Sequence, residues 1–156
     1  MTTPDQRLLI FDPSRCTACH YCEMACSYFH FKVIDIEKAN LRVLVNPETG
    51  ARDVAHCLHC DNALCLEACP TGAIYRDENT RIVRINPMKC IGCRSCIAAC
   101  PVGVVWFHNS EGSARKCDLC DGDPQCAKYC SPGAIRVIDR KDFKAEMAKL
   151  GGGNHD

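Results

Sequence analysis

Sixteen of the 156 residues are cysteine, and they fall four by four. The two central quartets are Cys57-x2-Cys60-x4-Cys65-x3-Cys69-Pro70 and Cys90-x2-Cys93-x2-Cys96-x3-Cys100-Pro101; Cys16-x2-Cys19-x2-Cys22-x3-Cys26 precedes them and Cys117-x2-Cys120-x5-Cys126-x3-Cys130 follows. No cysteine is left over for a nucleophile or a disulfide. Thiolates two residues apart can wrap one face of a cubane [4Fe–4S] cluster, because the short peptide between them turns back on itself. The fourth cysteine, three residues further on, ligates the neighbouring cluster in two-cluster proteins. Proline directly after it has no N–H to donate and stops a helix from continuing. The central quartets therefore read as one unit that holds two clusters by exchanging their last cysteines. Ser27, not proline, follows Cys26, a small departure in the first quartet.

Other chemistries fit less well. A zinc ribbon uses two Cys-x2-Cys pairs and has no need of a third cysteine two residues on or of a fourth sealed by proline. Cys16-Thr-Ala-Cys19-His20 matches the c-type haem attachment pattern, but both cysteines belong to a complete quartet, and His20 reads as a surface residue at a helix start. His56 and His59 would suit a Rieske centre only if two cysteines were missing from one iron, and none is. A radical-type Cys-x3-Cys-x2-Cys would need cysteine where Phe29, Gly72, Gly103 and Gly133 stand. Arg15, His56, Lys89 and Lys116 each immediately precede a quartet. A cation there would favour the more negative reduced cluster, although ordinary solvation explains the pattern nearly as well.

The elements that must position these cysteines are short. Arg7 to Asp12 reads as a strand ending at Asp-Pro, and Tyr21 to Phe29 as a helix carrying Cys22 and Cys26. Leu41–Val45, the turn-forming Asn46-Pro-Glu-Thr-Gly50 and Arg52–Ala55 predict a β-hairpin inserted between the first two quartets, read as a cap that shields a cluster. Pro70-Thr-Gly-Ala-Ile74, Pro101-Val-Gly-Val-Val105 and Ser131-Pro-Gly-Ala-Ile135 nearly repeat after three of the fourth cysteines. Each predicts a turn leading into a strand, and internal duplication explains the repeat. Arg81–Ile85 and Ile135–Ile138 supply further strands. Phe143, Met147 and Leu150 form the apolar stripe of a C-terminal helix, over about 140–150, before a flexible tail at 151–156.

Composition agrees. The 47% hydrophobic fraction falls to roughly 37% once cysteines count as ligands, below the usual apolar share, so clusters must supply cohesion. The formal net charge of zero counts cysteine as neutral. Four [4Fe–4S] sites add about eight negative charges, which makes a nucleic-acid partner unexpected. The N-terminus has no basic, apolar or twin-arginine export pattern, and no apolar run approaches the ~20 residues of a membrane span. A cytoplasmic protein without direct membrane insertion is expected, where disulfides are disfavoured.

Four such quartets, with Leu9-Ile-Phe-Asp-Pro13 before the first and Cys-Pro-Thr-Gly-Ala-Ile after the second, resemble the four-cluster electron-transfer subunits of the dimethyl sulfoxide reductase and formate dehydrogenase type. Small cytoplasmic relatives of these serve tungsten aldehyde oxidoreductase, carbon monoxide dehydrogenase or hydrogenase. The resemblance covers roughly residues 7–140. It implies an α+β fold of two bacterial-ferredoxin-like modules, with the second and third quartets nested inside the first and fourth. The inner module spans about 57–105, and the outer about 7–56 plus 106–140, in one unit over 1–150. It also implies the ligand sets Cys57, Cys60, Cys65 with Cys100; Cys90, Cys93, Cys96 with Cys69; Cys16, Cys19, Cys22 with Cys130; and Cys117, Cys120, Cys126 with Cys26.

With every iron site closed by thiolate, no coordination position is open for substrate. The expected function is non-catalytic relay of electrons through four [4Fe–4S] clusters. One partner is a catalytic subunit, a tungsten or molybdenum enzyme such as aldehyde oxidoreductase before carbon monoxide dehydrogenase or hydrogenase; the other is a second redox donor or acceptor. A free-standing polyferredoxin and an iron–sulfur assembly or regulatory protein are the alternatives. Self-association end to end is a further expectation if both ends of the wire are exposed.

Overall fold

The computed structural model describes residues 6–150; the expected tail at 151–156 lies outside them. The chain is a small mixed helix-and-sheet protein, and among the described residues no sheet exceeds two strands. β1 (Arg7–Phe11) is apolar from Leu8 onward, with Leu8, Leu9 and Ile10 all buried. It pairs antiparallel with β8 (Ile135–Asp139), from Arg7 opposite Asp139 to Phe11 opposite Ile135, and so ties the two ends of the chain together.

Between them lie three hairpins. β2 (Arg42–Val45) pairs with β3 (Arg52–Ala55), β4 (Ile74–Arg76) with β5 (Val83–Ile85), and β6 (Trp106–His108) with β7 (Ser113–Arg115). Side-chain oxygens build two of the turns, as short polar residues do when they accept from nearby backbone. Asn46 Oδ1 accepts from the amides of Glu48 (2.9 Å) and Thr49 (3.1 Å). Asp77 Oδ1 accepts from those of Asn79 (3.0 Å) and Thr80 (2.8 Å). That second turn, with Arg81 in the left-handed region at φ 60°, delays the strand expected at Arg81 until Val83.

α1 (Tyr21–Phe31) is the longest helix at 11 residues and runs two residues beyond expectation. It stops where Lys32 turns left-handed and its amide returns to Tyr28 O at 2.9 Å. α2 (Leu64–Glu67), α3 (Ser95–Ala99) and α4 (Gln125–Lys128) are single turns. α1 packs against α4 and α2 against α3. α5 (Phe143–Lys149) lies against β1, with Phe143, Met147 and Leu150 half-buried.

The apolar core is in two pieces, each interleaved with cysteine. Leu9, Ala39, Leu41, Val54, Ile82, Val104, Leu119 and Ile135 surround Cys22, Cys26, Cys57, Cys117 and Cys126. Ala63, Ile74, Val83, Val105 and Ala114 surround Cys96. No helix among the described residues is long and apolar enough to cross a membrane.

Candidate metal centres

Each quartet is folded the same way locally. The residue before the second cysteine is left-handed in all four: Ala18 (φ 55°), His59 (φ 47°), Gly92 (φ 71°) and Leu119 (φ 57°). That kink turns the chain back toward the first thiol. The amides of Ala18 and His59 each point at Cys16 Sγ and Cys57 Sγ from 3.4 Å. The third cysteine then occupies the second residue of a helix every time, as Cys22, Cys65, Cys96 and Cys126.

The fold gathers cysteines across quartets. Cys57, Cys60 and Cys65 line one cavity with Cys100, together with His59 and Lys116. Cys90, Cys93 and Cys96 line another with Cys69. Around the remaining pair, Cys22 feels the charge of Cys130, whereas Cys126 and Cys117 both feel that of Cys26. None of the sixteen is in a disulfide; Cys19 and Cys93 are exposed, and Cys22, Cys26, Cys57, Cys96, Cys117, Cys120 and Cys126 are buried.

Burial, with neighbouring Glu23 and then Cys130 adding, pushes the Cys22 thiol up to about 12. Burial likewise takes Cys96 to about 11, with Cys90 and Cys65 adding, and raises Cys117 and Cys126 strongly. Such thiols hold their protons at neutral pH until a metal displaces them. Cys93 goes the other way, because the Ser95 hydroxyl and amide both favour its thiolate.

The donor set around the sulfurs fits anionic thiolates. Amides reach Cys26 Sγ from Asn40 (3.2 Å), Cys90 Sγ from Ala114 (3.5 Å) and Cys130 Sγ from Ile135 (3.4 Å). The Lys116 ammonium, on a side chain that is 4% exposed, donates to Cys57 Sγ at 3.2 Å. His59 is 0% exposed, and its Nδ1 accepts from the Val83 amide at 3.2 Å. The ring proton is therefore on Nε2, which has no partner among the described residues. Burial, then the charges of Lys116 and His56, keep this imidazole neutral, with its pKa down at about 2. That buried N–H, on a residue that lines the cavity of four cysteines, is a donor without an acceptor among the described residues.

The other histidines are placed differently. Both ring nitrogens of His56 face carbonyl oxygens, Val54 O at 3.0 Å and Leu9 O at 3.1 Å, which leaves none for a metal. His20 occupies the left-handed position before α1 and makes no side-chain cap; its partly exposed ring meets Glu23. Glu23 itself is buried and accepts from the Val43 amide at 2.9 Å, fastening α1 to the β2–β3 hairpin.

Two residues near the sulfurs were not singled out by motif. His30 Nε2 stands 3.3 Å from Asp118 Oδ1 and 3.8 Å from Cys120 Sγ. Burial opposes its charge, but Asp118 and then the Cys120 and Cys26 sulfurs outweigh that and push it up to about 12. Its signal was its place four residues after Cys26, one helical turn along α1. Gln6 carried no signal. It is buried, and its Nε2 donates to His59 O (3.0 Å) and Arg81 O (3.2 Å), anchoring the start of β1 to the second quartet.

Residues 51–140 match a family model described as a 4Fe-4S dicluster domain, and residues 15–74 match a second model of the same description. The thiosulfate reductase electron transfer subunit PhsB of Salmonella typhi is 37% identical over 150 residues, 90% of this chain and 75% of that protein. The polyferredoxin-like subunit of aliphatic sulfonate oxidoreductase from Pyrococcus furiosus is 37% identical over 133 residues, 83% of this chain and 76% of that protein. A chain of the active site complex BamBC of benzoyl coenzyme A reductase, solved with 1,5-dienoyl-CoA, has a TM-score of 0.52 at 19% identity, covering 94% of this chain and 92% of that one. At that identity the likeness is one of fold. Two dicluster matches and sixteen cysteines fit four [4Fe–4S] clusters.

Proposed function

This chain belongs to the 4Fe–4S dicluster family of iron–sulfur electron-transfer subunits of oxidoreductase complexes, and from that membership we propose that it relays electrons between a catalytic subunit and a second redox partner. The observation that carries the reading is that cysteines from different quartets line shared cavities, Cys100 with Cys57, Cys60 and Cys65, and Cys69 with Cys90, Cys93 and Cys96. A bound [4Fe–4S] cluster supplies a one-electron site whose potential answers to charge and hydrogen bonds around its sulfurs.

The ligands we propose are exchanged between nested quartets. Cys57, Cys60, Cys65 and Cys100 hold one cluster, and Cys90, Cys93, Cys96 and Cys69 hold the next; the two cavities lined by these sets support the pairing. Cys16, Cys19, Cys22 and Cys130 hold a third, and Cys117, Cys120, Cys126 and Cys26 the fourth. The packing of α1 on α4 and of α2 on α3 supports an outer and an inner module. The protein's own task is to hold thiolates in place, aim amide donors at them and keep water from the buried sets.

As catalytic partner we place a tungsten or molybdenum enzyme such as an aldehyde oxidoreductase first, then carbon monoxide dehydrogenase or hydrogenase. Support comes from the motifs around the quartets and from relatives named as subunits of a reductase and an oxidoreductase. Thiolates in this number call for a reducing compartment, so the proposal includes a cytoplasmic setting.

The test is anaerobic purification with whatever accompanies the native protein. About 16 iron and about 16 acid-labile sulfide per chain are expected, reducible by dithionite and reoxidised by the co-purifying enzyme. Zinc with little sulfide overturns the reading. Full iron without a co-purifying enzyme favours a free-standing carrier, and full iron that no partner reoxidises favours an assembly or regulatory role.

A further inference from the structure

Of the four cationic or titratable residues that precede quartets, the structure sends one to a sulfur. Arg15 is exposed and faces Asp12 at 3.6 Å. Lys89 is exposed. His56 is spent on two carbonyl oxygens. Lys116 alone is a buried cation, donating to Cys57 Sγ and to Cys117 O, each at 3.2 Å. Among the described residues no carboxylate forms an ion pair with it. A buried charge is costly unless paired, and the anion this one meets is a cysteine sulfur.

His59 lines the same cavity, and its backbone amide also points at Cys57 Sγ, from 3.4 Å. The cavity lined by Cys69, Cys90, Cys93 and Cys96 is furnished otherwise. Its one cationic side chain, Arg94, is exposed and stacks its guanidinium 4.2 Å from the Phe107 ring centroid. Amides and hydroxyls reach sulfurs at that second site too, from Ala114 to Cys90 and from Ser95 to Cys93, so the two sites differ chiefly in the buried charge that faces their sulfurs.

We propose that Lys116 sets the centre held by Cys57, Cys60, Cys65 and Cys100 at a higher reduction potential than the centre held by Cys69, Cys90, Cys93 and Cys96, so that an electron passing between these two rests on the first. The inference deepens the function proposed above and rests on its assignment of cysteines to [4Fe–4S] sites. The physical reason is differential. Reduction adds one negative charge, and a desolvated ammonium against a ligand sulfur stabilises the reduced state more than the oxidised one. A buried cation is also little screened by salt. Lys116 touches a ligand and not the electron's own atoms, so it is a positioning residue for charge.

The test is EPR-monitored potentiometric titration of the intact iron-loaded protein. In Lys116→Met one of the four midpoints falls by at least about 59 mV, a tenfold change in a one-electron equilibrium; the other three stay, and the shift is the same in low and high salt. The shifted component is the one absent from Cys60→Ala. Lys116→Arg keeps most of the wild-type midpoint, and Lys89→Met superimposes on wild type. Midpoints unchanged in Lys116→Met, shifted alike in all four centres, or shifted equally by Lys89→Met overturn the inference. Should Lys116→Met assemble with reduced iron, Lys116→Gln and Lys116→Arg decide: a lower midpoint in the glutamine variant supports the inference, and equal midpoints overturn it. Wild-type protein lacking iron and sulfide would instead defeat the four-cluster reading itself.

Discussion

Replacing Cys26 by alanine separates exchanged ligation from a fold in which each quartet keeps its own cluster. Cys26 is 4% exposed, lies in α1 beside Cys22, and yet its sulfur bears on Cys126 and Cys117, about ninety to a hundred residues away in the chain. If it ligates with Cys117, Cys120 and Cys126, its loss takes iron from about 16 to about 15 where a three-iron centre forms, or to about 12 where the cluster is lost. The centre of Cys16, Cys19 and Cys22 keeps its ligand Cys130. A second cost is local. The buried Asn40 amide, 3.2 Å from Cys26 Sγ, loses its acceptor, worth about 1–3 kcal/mol. Cys26→Ser retains an acceptor and so isolates the loss of the thiolate. The assay is iron and sulfide analysis with residue-assigned, paramagnetically shifted cysteine β-proton resonances. Signals lost from Cys117, Cys120 and Cys126 with those of Cys16, Cys19 and Cys22 intact are expected, and Cys130→Ala gives the reciprocal pattern. Damage confined to Cys16, Cys19 and Cys22 in the Cys26 variant refutes the exchange.

Three further outcomes follow from the geometry. Stripping iron with a chelator melts the tertiary structure, since isolated two-stranded sheets and single-turn helices are marginal in water; amide exchange that stayed slow in β1 and β8 would show the core is self-sufficient. Gly92→Ala destabilises by about 1–2 kcal/mol for the left-handed backbone alone, with a further clash because the new Cβ sits 3.2 Å from Gly112 O at φ +71°; faster cluster bleaching in denaturant is the readout. Ala18→Gly relieves the same conformation at φ 55° and slows bleaching of the centre that includes Cys16.

The cysteines were legible because ligand spacing is local chemistry, and the strands at Arg7, Arg52 and Ile135 because short β-branched runs between turn residues have few other uses. Much of the rest depends on contacts that no window contains. Leu8 and Ile138 face one another across the whole chain, and neither marks its partner. The β6–β7 hairpin escaped because Ser113-Ala-Arg115 has weak strand propensity, and pairing with Trp106–His108 decides it. α2 and α4 are four residues long, too short for any period to register. Lys116 stood in a recognisable pattern with Arg15, His56 and Lys89. What distinguishes it is burial against a cysteine 59 residues earlier, a tertiary fact.

The left-handed residues show where the missing information resides. In a self-sufficient loop a φ near +55° asks for glycine, since other residues lose roughly 1–2 kcal/mol there. The four corresponding positions carry alanine, histidine, glycine and leucine, so three quartets tolerate that strain, together roughly 3–6 kcal/mol. The apolar core available to offset it is split in two and filled with cysteines whose buried thiols resist ionisation. Metal binding to sites absent from the unfolded chain is itself folding free energy, and it is what holds the three strained kinks. His59 shows what the arrangement yields. Glycine at 59 would relax the backbone but remove the buried ring that accepts from the Val83 amide and lines the cavity of Cys57 and Lys116. The strain is therefore local, the stabilisation comes from assembly, and a residue that looks misplaced in the bare chain is suited to the loaded one.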